Sequence, residues 1–242
     1  MTKESLIQNY KIAANKMLGL GQFKQAIEVF EKIISEDPSD LDAFLGTGSA
    51  FEAINNLDAA ISFYKRATDL NPRISLPFHN IGRIYILLNE NTLAQEYLKK
   101  AIEITPSSES AWCDLGLSQM LNRDFIAAEI SLKNSIDLNP NFTLAYHNLG
   151  ECSQQQRNYD QAIVLFNKAL EINPNLEGTV ASLAETYVDM LQSEKAINIL
   201  NQFINTNPSS VICNQSLALI LLKGKEFKKG FKAYDWRLAP SA

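Results

Sequence analysis

The sequence predicts an all-α solenoid, a file of helix–turn–helix units of 34 residues stacked one on the next. Three observations predict it. Prolines recur at Pro38, Pro72, Pro106, Pro140, Pro174 and Pro208, each 34 residues from its neighbour. Small residues keep the same phase: Ala26, Ala60, Ala94, Ala128, Ala162 and Ala196 lie twelve before each proline, and Ala14, Gly48, Gly82, Gly116, Gly150 and Ala184 lie 24 before. An aromatic usually stands 28 before, at Tyr10, Phe44, Phe78, Trp112 and Tyr146, with Val180 in the sixth place. No such unit can bury its apolar face alone, so neighbours must stack into one continuous core.

Each unit reads as two helices. In residues 145–174, where the pattern is fullest, the first helix is expected over Ala145–Gln155, with Leu144, Tyr146, Leu149 and Gly150 giving it one apolar face. Polar pairs such as Gly21-Gln22, Asn55-Asn56, Asn89-Glu90 and Arg157-Asn158 stop the first helices. Ala162, Ile163, Phe166, Ala169, Leu170 and Ile172 fall at helical spacing in the second. The X-Pro step then ends it, because proline lacks a donor and disfavours helix in the residue before it. Small columns are expected where the two helices approach closely.

Composition bounds the function. A net charge of −5 with both signs interspersed leaves no basic stripe except Lys223, Lys225, Lys228, Lys229 and Lys232, so no nucleic-acid partner is expected. Cys113, Cys152 and Cys213 are odd in number and lack CxxC spacing, which fits neither a disulfide framework nor a zinc knuckle. With no apolar signal core and no long apolar run, the expectation is a cytoplasmic chain without a membrane span. No P-loop, HExxH or GxSxG occurs, and His79 and His147 stand two units apart. The chain is therefore expected to be no enzyme by itself, with no catalytic residues, no metal and no cofactor.

The columns quoted resemble the tetratricopeptide repeat family. Tyr146, Leu149, Gly150, Tyr159, Ala162, Phe166, Ala169 and Pro174 fall on its pattern, and repeats beginning near 7, 41, 75, 109, 143, 177 and 211 make residues 1–242 a single solenoid. The departures are Val180, Asn91, Ser193 and Phe203, which point to repacking rather than another fold. The resemblance implies a right-handed superhelix whose first helices line a concave groove for a peptide or partner segment. It also implies a carboxylate clamp in chaperone-binding members, to which Lys11 and Asn15 conform but Gly46 and Leu76 do not.

Within the expected groove, Asn80, Asp114 and Asn148 recur one per unit, flanked by Gly46 and Ser182. An amide donates and accepts, which suits an extended backbone; the run resembles the asparagine ladder of O-GlcNAc transferase. His79, Arg83, His147, Glu151, Gln154, Glu185 and Asp189 are further candidates, with Leu76, Leu117, Met120 and Leu144 between them. The carboxylates gather in the later units, where a basic segment is favoured.

The seventh repeat is atypical, with Gly230 in the alanine column and an aromatic second half holding Phe227, Phe231, Tyr234 and Trp236. Its stretch EFKKGFKAYDWRL resembles the last repeat of O-GlcNAc-transferase-like (SPINDLY-type) glycosyltransferases. Two functions follow as expectations. One is a protein-interaction scaffold. The other is the substrate-recruiting arm of such a glycosyltransferase, with Phe231, Tyr234, Trp236 and Arg237 docking the next domain. Self-association through those aromatics is a third expectation.

Overall fold

The computed structural model describes residues 3–224 together with 229, 230 and 233. Among these residues there are thirteen α-helices and no strand. The chain divides into two compact units, Met1–Arg123 and Asp124–Ala242. The first holds α1 (Lys3–Gly19), α2 (Phe23–Glu36), α3 (Leu41–Ala53), α4 (Leu57–Leu70), α5 (Ser75–Leu87), α6 (Asn91–Ile104) and α7 (Glu109–Leu121). The second holds α8 (Phe125–Leu138), α9 (Thr143–Gln155), α10 (Tyr159–Ile172), α11 (Glu177–Asp189), α12 (Ser193–Thr206) and α13 (Val211–Lys223). Within each unit every helix packs on the next, and α1 on α3, α5 on α7, α9 on α11 and α11 on α13 also touch.

The helices are close to the expected ones, with α9 starting two residues before Ala145. Its apolar face is split, however. Leu149 and Gly150 are buried, whereas Leu144 is half exposed. Leu144 lies on the far side of the cylinder from the core, one face the periodicity by itself merged with the other.

The small column of each first helix meets a large residue sixteen positions later. A Cβ placed on Gly48 would lie 2.7 Å from the Tyr64 ring, on Gly82 2.6 Å from Leu98, and on Gly150 2.6 Å from the Phe166 ring. Tyr64, Leu98 and Phe166 are among the most deeply buried large side chains, as are Phe30 and Leu200, which share clusters with Ala14 and Ala184. Gly46 plays a second such part, since a Cβ there would meet the Phe30 ring at 2.4 Å. The absence of asparagine from this place in its column thus has a packing cause. Ala26, Ala60, Ala94, Ala128, Ala162 and Ala196 are fully buried.

The sixth repeat exchanges volumes. Val180 replaces the aromatic of its column and Phe203 the small residue of another, and both lie in one cluster with Leu200 and Cys213. Volume is conserved while its source moves, which cores tolerate well. At the end of the second unit, Gly230 is buried and a Cβ on it would lie 2.7 Å from Leu222, so even alanine crowds that contact. Phe227, Phe231, Tyr234, Trp236 and Arg237 lie outside the described residues.

Turns repeat as strictly as helices. Gly21, Asn55, Asn89, Arg123, Arg157 and Leu191, each 34 from the next, have φ between 59° and 72°. Each begins the step from a first helix to a second. Glycine and asparagine adopt this left-handed geometry readily, and leucine does not. At the other turn the residue before proline earns its place: the carboxylate or amide oxygens of Asp37, Asn71, Asn139 and Asn173 each accept the N–H two residues on at 3.0 Å. This bridges the proline, which has no donor.

Two substitutions should raise the melting temperature in circular-dichroism melts. Leu191→Asn relieves a left-handed leucine that is 92% exposed and packs on almost nothing, a gain of about 1 kcal/mol. Asn91 is buried, and its Oδ1 has no partner among the described residues. Asn91→Leu, the residue Leu57 supplies one repeat earlier, removes that orphan together with the Nδ2 bond to Asn89 and should gain about 1 kcal/mol.

Candidate binding faces of the first helices

The first helices turn two faces outward from their small column: one packs on second helices, and the other lines cavities between first helices of neighbouring repeats, which Tyr64 of α4 also reaches. The second face is the candidate site, and each compact unit has its own.

In the first unit a cavity of about 520 Å³ opens between α3 and α5, lined by Leu45, Ser49, Glu52, Leu76, Asn80 and Arg83, with Tyr64 at its base. Its polar groups are committed to one another. Glu52 accepts the Tyr64 hydroxyl at 3.1 Å through one carboxylate oxygen and Arg83 Nη2 at 3.2 Å through the other. Burial, with the Glu52 carboxylate beside it, pushes the Tyr64 phenol well above its ordinary value of 10, and Asn80 is near enough to act on the same hydroxyl. One repeat on, His79 Nε2 and Asp114 Oδ2 are 2.7 Å apart, joining α5 to α7. Lys11, the residue that conforms to a carboxylate clamp, lies 2.8 Å from Asp40 and 2.9 Å from Asp42, so its charge is already met.

In the second unit a cavity of about 450 Å³ runs across α9, α11 and α13. His147 and Glu151 of α9 form one side, with Nε2 and Oε1 3.3 Å apart. His147 Nδ1 also sits 3.1 Å from Thr179 Oγ1, and the Ser182 hydroxyl donates to Glu151 at 3.3 Å. Gly178, Ala181, Ser182, Glu185 and Val188 of α11 form the floor. Ile212, Ser216, Leu219, Ile220 and Lys223 of α13 close the far side. Burial pushes the Glu151 carboxyl upward, but the His147 ring and the Ser182 hydroxyl outweigh it and hold the group below its ordinary 4.5.

The structure thus brings His147, Glu151 and Glu185 to one groove and Asn80 and Arg83 to another, and puts His79 with Asp114. Asn148 is almost wholly buried and hydrogen-bonding or otherwise engaged. Gln154 and Asp189 line neither cavity. Met120 is 2% exposed and belongs to the core, not to a groove. Gly178, Ile212, Ser216 and Leu219 were missed in the sequence, although carrying Leu144, Asn148 and Glu151 forward by 34 and 68 residues finds all four. Among the described residues no group of histidine, cysteine and carboxylate side chains is arranged to hold a metal, and the three cysteines are buried.

Sequence models of the tetratricopeptide repeat match residues 13–73, 77–108, 143–176 and 182–210. The chain belongs to the tetratricopeptide repeat family. No curated protein matches it. Among solved structures, the type IV pilus biogenesis factor PilW is 19% identical with a TM-score of 0.79, over 91% of this chain and 100% of that one. The hetero-tetramer of Cut9 and Hcn1 gives 23% and 0.74 over 88% of this chain, which spans only 42% of its relative's length. YrrB, described as a tetratricopeptide protein with an unusual peptide-binding site, gives 22% and 0.58, over 77% and 96%. At these identities the likeness establishes the solenoid fold of stacked tetratricopeptide repeats and nothing finer. No described helix is long and apolar enough to cross a membrane.

The lowered Glu151 carboxyl carries a pH signature. A folded-state value below the unfolded one gives stability that is present above pH 4.5 and lost as pH falls through the folded value. Wild type should therefore melt above Glu151→Gln at pH 7, and the difference should shrink as pH falls below 4.5 and through the folded value. Paired thermal melts across an acid pH series check this.

Proposed function

We propose that this chain is a non-catalytic scaffold that binds segments of other proteins on the faces of its first helices. The observation that carries this reading is the groove across α9, α11 and α13, where Ile212 and Leu219 stay substantially exposed beside charged groups instead of entering the core. Apolar surface next to a few fixed polar groups is what a recognition site requires. The peptide-binding site for which the similar YrrB is described supports the same reading. Asn80 in the first unit serves as a polar contact there, with its amide beside the cavity. His79 and Asp114, joined to each other, fix α5 against α7, and Asn148, Gln154 and Asp189 are given no ligand contact.

A second reading rests on the stretch EFKKGFKAYDWRL alone: the chain is the recruiting arm of an O-GlcNAc-transferase-like enzyme. It leaves the first-helix faces the same task. The size of the native polypeptide in its source cells separates the two, since a band near 27.0 kDa favours the stand-alone scaffold and a much larger one the arm.

For the scaffold itself, a photo-crosslinking amino acid placed at Ser49 or Ser216 should trap partner proteins in the source cells. The same group at Ile126, on the outer side of α8, should trap none. Equal capture from all three positions would sink the assignment to the first-helix faces.

A further inference from the structure

The groove of the second unit differs from that of the first in one respect that names its ligand. In the first unit the charges are mutually neutralised, Arg83 against Glu52. In the second, Glu151 is held by His147 and Ser182, but Glu185 is exposed and has no partner among the described residues. The repeat fixes where these groups stand. Glu151, Glu185 and Leu219 are 34 apart, so they occupy one level on α9, α11 and α13. Leu144, Gly178 and Ile212 form a second level in the same way. One side of the groove is therefore acidic, and the other is an apolar wall of Ile212, Leu219 and Ile220. Gly178 leaves the floor between them bare, and a Cβ there would meet nothing within 4 Å.

Resting on the reading of the first-helix face as the binding face, we propose that this groove takes an extended protein segment with a basic residue and an apolar residue about three positions apart. The basic side chain pairs with Glu185 above α11, and the apolar one seats against Leu219 and Ile220. The spacing follows from packing, because adjacent helices lie about 8–10 Å apart and an extended chain advances about 3.3 Å per residue. Lys223 sets the direction. It lines the far lip of the groove at the end of α13 and repels the basic residue toward the α9 side.

The test pans a phage-displayed library of random twelve-residue peptides on the full chain and titrates the synthesised winners by fluorescence anisotropy. Winners are expected to carry Lys or Arg about three residues from Leu, Ile or Phe. Their affinity should fall about tenfold or more with Glu185→Lys, as for loss of a charge-assisted pair. It should stay within about twofold for Asp137→Lys, the same charge change on exposed α8 surface. Gly178→Trp, whose Cβ would meet nothing within 4 Å and whose ring would occupy the groove, should abolish binding while leaving the melting curve in place. Winners that lose binding in Gly178→Trp but ignore Glu185→Lys, or that are acidic, would overturn the cationic ligand while leaving the groove as the site. Winners indifferent to both variants, or no winners at all, would overturn the groove too. If the full chain sediments as a dimer that the winning peptide dissociates, the occupant is a second copy and the proposal falls.

Discussion

The contact on which each repeat depends is the approach of a bare backbone to a large side chain sixteen residues later. Gly48 against Tyr64, Gly82 against Leu98 and Gly150 against Phe166 leave no room for even one added carbon without displacement. Close approach brings the two helices of a repeat into full van der Waals contact, and the buried alanine column then lets the next repeat in. That contact consumes one face of each first helix and leaves a neighbouring face exposed, from which Glu52 and His147 still reach Tyr64 and Phe166. The exposed face is a by-product of how the repeat is closed.

What varies from repeat to repeat is therefore concentrated on that leftover face. Residues at one level of successive first helices share a position but not a chemistry: Ser49 and Arg83 in the first unit, Glu151, Glu185 and Leu219 in the second. In the first unit the charges find one another, with Glu52 bridging Tyr64 and Arg83, and the resulting network stiffens α3 against α4 and α5. In the second unit a carboxylate remains unspent among the described residues, beside apolar side chains that the core does not need. An exposed carboxylate of this kind contributes little to stability. It is correspondingly free to be used for recognition.

The same division between conserved geometry and local chemistry holds in the turns. Six residues adopt the left-handed geometry that leads from first to second helix, and only four different residue types supply them. Leu191 does so against its own preference, which means the packing of α11 on α12 dictates the turn and not the reverse. Val180 and Phe203 tell a similar story inside the core, where an aromatic volume has changed helix without changing cluster.

The sequence by itself determined the repeat: its period, the two helices of each unit, the alanine and glycine columns, and the proline turns. Those features follow from local rules, periodicity and steric size, that act over a few residues and recur in phase. It also named His147, Glu151 and Glu185 as groove residues. Only the tertiary structure decided that Met120 is core, that Leu144 faces away from it, that Asn148 is nearly buried, and that His79 is tied to Asp114. Each of these depends on the rotation of a first helix about its axis by a fraction of a turn and on which neighbour's side chain arrives there. Hydrophobic spacing along one helix does not encode that rotation; the residue sixteen positions later does.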